Sequence, residues 1–98
     1  MRPVPLTPAE LDANLASLPG WSLVNGKLHR EYRFADFPHA FGFMATAAPV
    51  IERRNHHPEW LNVYNCVTVD LTTHDAGGVT SLDVDLARLL DSIAQKLA

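Results

Sequence analysis

The chain has 98 residues, of which 47% are hydrophobic and 19% are charged, and its formal net charge is -3. This length predicts one domain, since two separate cores would each be too small to fold without disulfides or metals. The lack of a basic surplus argues against nucleic-acid binding, because no excess of cations is available to neutralise phosphates. No apolar run approaches the roughly 20 residues of a membrane span, so we expect no membrane partner.

Cysteine use and the N-terminal residues indicate the compartment. Cys66 is the single cysteine and cannot form an intramolecular disulfide, which favours a reducing environment. No basic neighbour is evident that would lower its pKa, so we expect an inert thiol. Residues 1–5 lack the apolar stretch of a secretory signal peptide. We therefore expect a cytoplasmic protein with a single domain, residues 1–98.

The first third of the chain predicts a helix followed by a β-hairpin. Thr7 and Glu10 form the pattern of a capping box, and Pro19-Gly20 ends the helix that they begin. Asn25-Gly26 favours a two-residue turn between strands, because both residues tolerate a positive φ. The strand after the turn alternates regularly, and one face is expected to carry Leu28, Arg30, Tyr32 and Phe34.

A second helix is predicted to begin after Asp36, which can cap it, and to end near Asn55 or His56, because Pro58 disfavours helical geometry at the residue before it. Pro49 removes a backbone donor, and we expect a kink there within one helix. Apolar residues at spacings of three and four predict the buried stripe of this helix: Phe37, Phe41, Met44, Ala48 and Ile51.

The remaining residues predict a second hairpin and a last amphipathic helix. Strands are expected around Leu61–Tyr64 and Val67–Leu71, and Thr80 with Asp83 caps the helix that follows. The order α-β-β-α-β-β-α predicts an α+β fold: a four-stranded antiparallel sheet with three helices packed on one face. The predicted apolar stripe of the last helix is Leu82, Leu86, Leu89, Leu90, Ile93 and Leu97.

Three histidines lie where regular structure is predicted to stop. His56 and His57 close the second helix, and His74 follows the last strand. If the two strands of the second hairpin pair, the start of the first lies beside the end of the second. This pairing brings the three imidazoles to one rim of the sheet, where Trp21 and Trp60 are available as aromatic walls. Asp83 is expected to cap its helix, and its carboxylate could also orient the ring of His74.

Three interpretations of this cluster stay open from the residues alone. The histidines could be ordinary helix-end and surface residues. They could transfer protons, since an ordinary histidine pKa of about 6.5 allows either role near neutrality. They could bind zinc, although adjacent histidines are an unusual ligand pair and no His-x-x-x-His spacing is present. His29 and His39 are expected to be solvated.

Several sequence blocks resemble one family. Residues 52–65, ERRNHHPEWLNVYN, look like the signature of the pterin-4a-carbinolamine dehydratases. Residues 72–78, TTHDAGG, and 83–87, DVDLA, resemble the second and third blocks of that family in order and spacing. Gly20-Trp21 and residues 36–44, DFPHAFGFM, also match. The resemblance covers nearly the whole chain.

This resemblance implies dehydration of 4a-hydroxytetrahydrobiopterin to quinonoid dihydropterin, which recycles the cofactor of aromatic amino-acid hydroxylases. It implies no metal and no organic cofactor. His56, His57 and His74 match the catalytic histidines of the family, with His56 and His74 as proton-transfer groups and His57 binding the pterin. Other implied substrate contacts are Asn55, Thr72 and Thr73, and Glu52 is expected to bond an imidazole or the pterin.

The resemblance also implies a homodimer or homotetramer, and it leaves a second function open. The family includes a dimerisation cofactor of a transcription factor, and some dehydratase-like proteins assist the assembly of other enzymes. A hydroxylase or regulatory protein is therefore a possible partner. Asn55 departs from the Asp that is common before the histidine pair, and Pro49 is foreign to the corresponding helix.

Overall fold

The computed structural model describes residues 3–98, so Met1 and Arg2, part of the N-terminal segment, lie outside the described residues. Three helices and a four-stranded antiparallel sheet follow one another in the predicted order, and the predicted fold class is confirmed. The strand order across the sheet is β1-β2-β4-β3. The elements are α1 Pro8–Ala16, β1 Ser22–Val24, β2 Lys27–Arg33, α2 Phe37–Arg54, β3 Glu59–Val63, β4 Cys66–Leu71 and α3 Ser81–Lys96, with one 3₁₀ turn at His74–Ala76.

Local signals in the sequence explain where the elements begin and turn. Thr7 and Glu10 bond each other's backbone N–H in the predicted capping box, and Thr80 and Asp83 do the same at α3. Asn25 has φ 51° at the turn between β1 and β2, a conformation that asparagine tolerates. These contacts satisfy backbone donors that would otherwise have no partner at the helix ends.

The two faces of the sheet differ in character. One face packs against the helices and buries an aliphatic layer that includes Leu28, Val67, Val69 and Leu71. The opposite face is mostly polar. The register places His29 opposite Asp70 on β4, and Asp70 opposite Glu59 on β3, so these three side chains form one cross-strand row.

The buried face of α2 differs from the predicted stripe. Phe37 and Phe41 are 46% and 55% exposed, and their rings lie 5.8 Å apart on the surface. The residues that α2 buries are Ala40, Phe43, Ala47 and Ile51. Both sets have helical spacing, because the segment is apolar on several sides, and the smaller alanines let the helix lie close to its neighbours. The helix runs continuously across Pro49, so the expectation of one element is confirmed.

The last helix follows its predicted stripe in its central part. Leu86, Leu90 and Ile93 are buried, whereas Leu82 is 41% exposed and Val84 lies in the core. The helix therefore buries its main apolar face against its own domain. Within residues 3–98, no helix combines the length and the apolar character that crossing a membrane requires.

Candidate active site

The ends of several elements meet around one small cavity. The C-terminal residue of α2 is followed by Asn55 in the left-handed conformation, with φ 52°, which turns the chain out of the helix before His56. The pairing of Glu59 with Asp70 sets the start of β3 beside the end of β4, as the predicted hairpin requires. The cavity has a volume of about 210 Å³, and its lining residues are Asn55, His56, His57, Thr72, Thr73, His74 and Asp75.

His56 is paired with a buried carboxylate. Its Nε2 lies 2.6 Å from Oδ1 of Asp83, a residue with no exposed surface. The other oxygen of Asp83 accepts hydrogen bonds from the Thr73 hydroxyl at 2.7 Å and from the backbone N–H of Thr80 at 2.9 Å. Asp83 thus caps α3, as predicted, but it contacts His56 and not His74. The reason is that the first turn of α3 faces the end of α2.

The other two histidines are more exposed and pair with glutamates. Nε2 of His57 lies 2.9 Å from Oε1 of Glu52, so Glu52 contacts an imidazole, one of its two expected partners. Nε2 of His74 lies 3.2 Å from Oε2 of Glu59, and Oε1 of Glu59 accepts a hydrogen bond from Lys27 Nζ at 2.6 Å. The hydrogen bond from Lys27 is the main reason that the pKa of Glu59 lies below its usual range.

All three rings share one arrangement. Each directs Nε2 towards a carboxylate oxygen, and a carboxylate can only accept. Nε2 therefore carries the proton in the hydrogen-bonded pairs of His56 and His57, and no group among residues 3–98 hydrogen-bonds to Nδ1 of any of the three rings. In the neutral ring Nδ1 accepts a proton, and in the cationic ring it donates one. The site can thus supply both an acid and a base.

The two tryptophans do not lie in the cavity lining. Trp21 is buried in the core, where its indole N–H donates to both carboxylate oxygens of Asp91 at 3.0 and 3.1 Å. Trp60 points to the helix side of the sheet and packs edge-on against Phe43, with ring centroids 6.4 Å apart. The expected aromatic walls therefore pack against the core here. Strand alternation turns Trp60 towards the helices, and the hydrogen bonds to Asp91 of α3 hold Trp21 there.

The remaining predicted residues have the following positions. The hydroxyl of Thr73 is buried and bound to Asp83 and Thr80, whereas Thr72 is partly exposed. His29 is half-buried, and its Nδ1 lies 2.8 Å from Asp70 Oδ1, so it is not simply solvated as expected. Among residues 3–98, no group of three or more His, Cys, Asp or Glu side chains has an arrangement that could hold a metal ion.

The sequence placed Glu59 at the same rim as His74 but assigned neither Glu59 nor Lys27 a role in the site. A signal for Glu59 was available, because it opens the strand beside His74 and shares the outer face with Lys27 by strand alternation. The bridge between them crosses β4, and only the strand order β2-β4-β3 reveals it.

The fold and the cavity define an α+β protein whose histidine site lies at one end of an antiparallel sheet. A family model described as "Pterin 4 alpha carbinolamine dehydratase" matches residues 4–93. The chain belongs to the pterin 4 alpha carbinolamine dehydratase family.

Individual relatives agree over most of the chain. A protein of Solibacter usitatus named "Putative pterin-4-alpha-carbinolamine dehydratase" is 60% identical over 89 residues, which cover 91% of this chain and 94% of that protein. A protein of Rhodopseudomonas palustris with the same name is 53% identical and covers 95% of this chain and 94% of its own length. The crystal structure of a transcriptional coactivator/pterin dehydratase from Brucella melitensis has a TM-score of 0.88 at 48% identity, covering 92% of this chain and 98% of that chain.

Proposed function

We propose that this protein dehydrates 4a-hydroxytetrahydrobiopterin to quinonoid dihydropterin, with His56 and His74 as the proton-transfer groups. The observation that carries the proposal is the single cavity lined by three imidazoles, each with Nε2 beside a carboxylate. The names of the relatives indicate the substrate class, a pterin 4a-carbinolamine. In this role the protein recycles the pterin cofactor of aromatic amino-acid hydroxylases.

The reaction needs one acid and one base. The C4a–O bond breaks, and the leaving hydroxyl takes a proton from a cationic imidazole to depart as water. The proton on N5 passes to a neutral imidazole while the nitrogen lone pair forms the C4a=N5 double bond. One ring loses a proton and the other gains one, so the net protonation of the site is unchanged after each turnover.

The remaining residues of the cavity bind the pterin in this proposal. His57 and Asn55 are exposed at its edge and offer hydrogen bonds to the heterocycle, with Glu52 orienting the His57 ring. Thr72 is free to contact the substrate with its side chain. Thr73 contributes through its buried hydrogen bond to Asp83, which fixes the His56 ring.

The test is the rate at which enzymatically generated 4a-hydroxytetrahydrobiopterin is converted to quinonoid product, followed by ultraviolet absorbance. We expect clear acceleration over the uncatalysed rate, and a loss of about 100-fold in kcat for His56→Ala and for His74→Ala, because each removes a proton-transfer group. His39→Ala is the matched control, since His39 is exposed and lies outside the cavity lining. Full activity in both site variants would show that the proposed mechanism is wrong.

The role of His57 is tested separately. His57→Ala should raise KM more than it lowers kcat, because a residue that binds substrate and transition state equally affects mainly KM. An unchanged KM with a reduced kcat would reassign His57 to proton transfer.

A second candidate function is a binding or assembly role, with a regulatory protein or a hydroxylase as the partner. The Brucella melitensis structure is titled as a coactivator as well as a dehydratase, and the exposed Phe37–Phe41 pair of α2 is an apolar surface in this chain. A folded protein that gives no acceleration would favour this function. Assembly into a homodimer or homotetramer is also a proposal, and sedimentation equilibrium would test it.

A further inference from the structure

The carboxylate of Glu59 bridges Lys27 and His74. Its Oε1 lies 2.6 Å from Lys27 Nζ, and its Oε2 lies 3.2 Å from Nε2 of His74. The three residues come from different parts of the fold: Lys27 opens β2, Glu59 opens β3, and His74 begins the 3₁₀ turn after β4. The bridge therefore spans three adjacent strands of the sheet at the end where the cavity lies.

The ring of His74 has fewer contacts to fix it than the ring of His56. Its side chain is 74% exposed, and within residues 3–98 it has no other hydrogen-bond or ion-pair partner than Glu59. His56 is different, because its partner Asp83 is buried and is itself held by Thr73 and Thr80. Hydrogen bonds to the carbonyl of Thr73 fix the backbone of the turn that His74 begins. The freedom that remains to His74 is rotation of its side chain.

We propose that Glu59 and Lys27 are positioning residues for His74: Lys27 fixes the Glu59 carboxylate, and Glu59 holds the His74 ring with Nε2 away from the cavity ligand and Nδ1 open to it. Glu59 would touch neither substrate nor reacting atoms. Without a partner, the side chain of Glu59 samples many rotamers, and the hydrogen bond from Lys27 removes most of that freedom. The side-chain entropy is therefore already lost in the free protein, and substrate binding does not have to offset it.

The charges around Glu59 explain why its contact with His74 needs Lys27. Asp70 lies opposite Glu59 in the register, so two carboxylates stand side by side on the outer face of the sheet. Lys27 offsets this repulsion for Glu59, and His29 pairs with Asp70 at 2.8 Å. Without Lys27, Glu59 is repelled by Asp70 and its carboxylate is no longer fixed beside His74.

The inference rests on the proposed function for its kinetic effect, but its structural effect can be measured without substrate. In protein carrying ¹³C-labelled histidine, relaxation of the His74 ring signals reports the order of the ring, and His74→Ala assigns those signals. We expect the order to fall in Glu59→Gln and in Lys27→Met, and to stay at the wild-type value in Lys27→Arg, which keeps the cation. An unchanged ring order in Glu59→Gln would overturn the proposal, whatever the activity.

Kinetics form the second arm. Exposed ion pairs contribute little, so we expect kcat to fall about two- to fivefold in Glu59→Gln and by less in Lys27→Met, with KM nearly unchanged. Lys27→Arg should restore the rate. Glu31→Gln and Arg33→Met are matched controls, because they break another exposed ion pair on the same face, 3.1 Å long, and should change neither quantity.

The two arms separate the possible failures. Loss of ring order together with a lower kcat supports the positioning role. If ring order falls in Glu59→Gln but the wild-type protein does not accelerate dehydration, the proposed function is overturned and the contact between Glu59 and His74 is still established. A full kcat in Glu59→Gln, despite a mobile ring, would overturn the positioning role alone.

Discussion

Asp83 couples the stability of the fold to the candidate site. Each of its two carboxylate oxygens faces hydrogen-bond donors: His56 on one side, and Thr73 with the backbone of Thr80 on the other. An asparagine can keep its oxygen towards Thr73 and Thr80, but its NH₂ then faces Nε2 of His56, which must give up its proton to Nδ1 and accept instead. Asp83→Asn should therefore lower the free energy of unfolding by about 1–3 kcal/mol, because hydrogen bonds to a buried carboxylate are replaced by weaker bonds to a neutral amide.

Urea unfolding of the purified variant measures this loss. Asp85→Asn is the control, since Asp85 is exposed on the same helix and its replacement should change the free energy of unfolding by no more than about 0.5 kcal/mol. Under the proposed function, kcat should also fall, because the ring of His56 loses its fixed acceptor. Equal stability of Asp83→Asn and the wild type would mean that the buried network contributes nothing.

The sequence did not reveal which carboxylate contacts each histidine of the site. Chain order and the second hairpin were enough to predict that His56, His57 and His74 come together. They did not reveal that Asp83 contacts His56, because that contact depends on how α3 approaches the end of α2. Trp21 shows the same limit: it stands in a family-like block, yet its indole lies in the core with Asp91.

At the scale of elements, local signals in the sequence predicted where a helix begins better than which of its faces is buried. The capping boxes that begin α1 and α3 were readable, because a cap depends on residues three positions apart. The buried face of α2 was not, because Phe37 and Phe41 have the same helical spacing as Phe43 and its buried neighbours. Packing against the sheet determines which face is buried. The ring centroid of Phe43 lies 4.9 Å from that of Tyr32 and 5.2 Å from that of Phe34.

Two substitutions in α2 test this assignment of faces. Phe43→Ala should lower the free energy of unfolding by about 3–5 kcal/mol, because it removes a fully buried ring and leaves a cavity. Phe41→Ala should change it by no more than about 0.5 kcal/mol, because that ring is 55% exposed. If Phe43→Ala does not fold, Phe43→Leu should fold with a smaller loss in the same direction. Equal losses at positions 41 and 43 would contradict the assignment.

At the scale of the whole molecule, Asp91 joins parts of the chain that are far apart in sequence. Its carboxylate accepts hydrogen bonds from Trp21, Arg30 and the hydroxyl of Tyr32, so it ties α3 to β2 and to the residue before β1. Burial and then the hydrogen bond to Asp91 raise the pKa of Tyr32 far above its usual range, and the hydroxyl stays a donor. None of these four residues lines the histidine cavity.

This separation predicts that stability and catalysis can be altered independently. Asp91→Asn should lower the free energy of unfolding by about 1–3 kcal/mol, because Arg30 loses its carboxylate partner and the hydrogen bonds from Trp21 and Tyr32 go to a neutral amide instead of a charged acceptor. The kcat and KM of the folded variant should equal those of the wild type, in contrast to Asp83→Asn. Urea unfolding and the dehydration assay measure the two effects, with Ser92→Ala, exposed on the same helix, as the control. A raised KM in Asp91→Asn would mean that Trp21, which Asp91 holds, reaches the substrate after all.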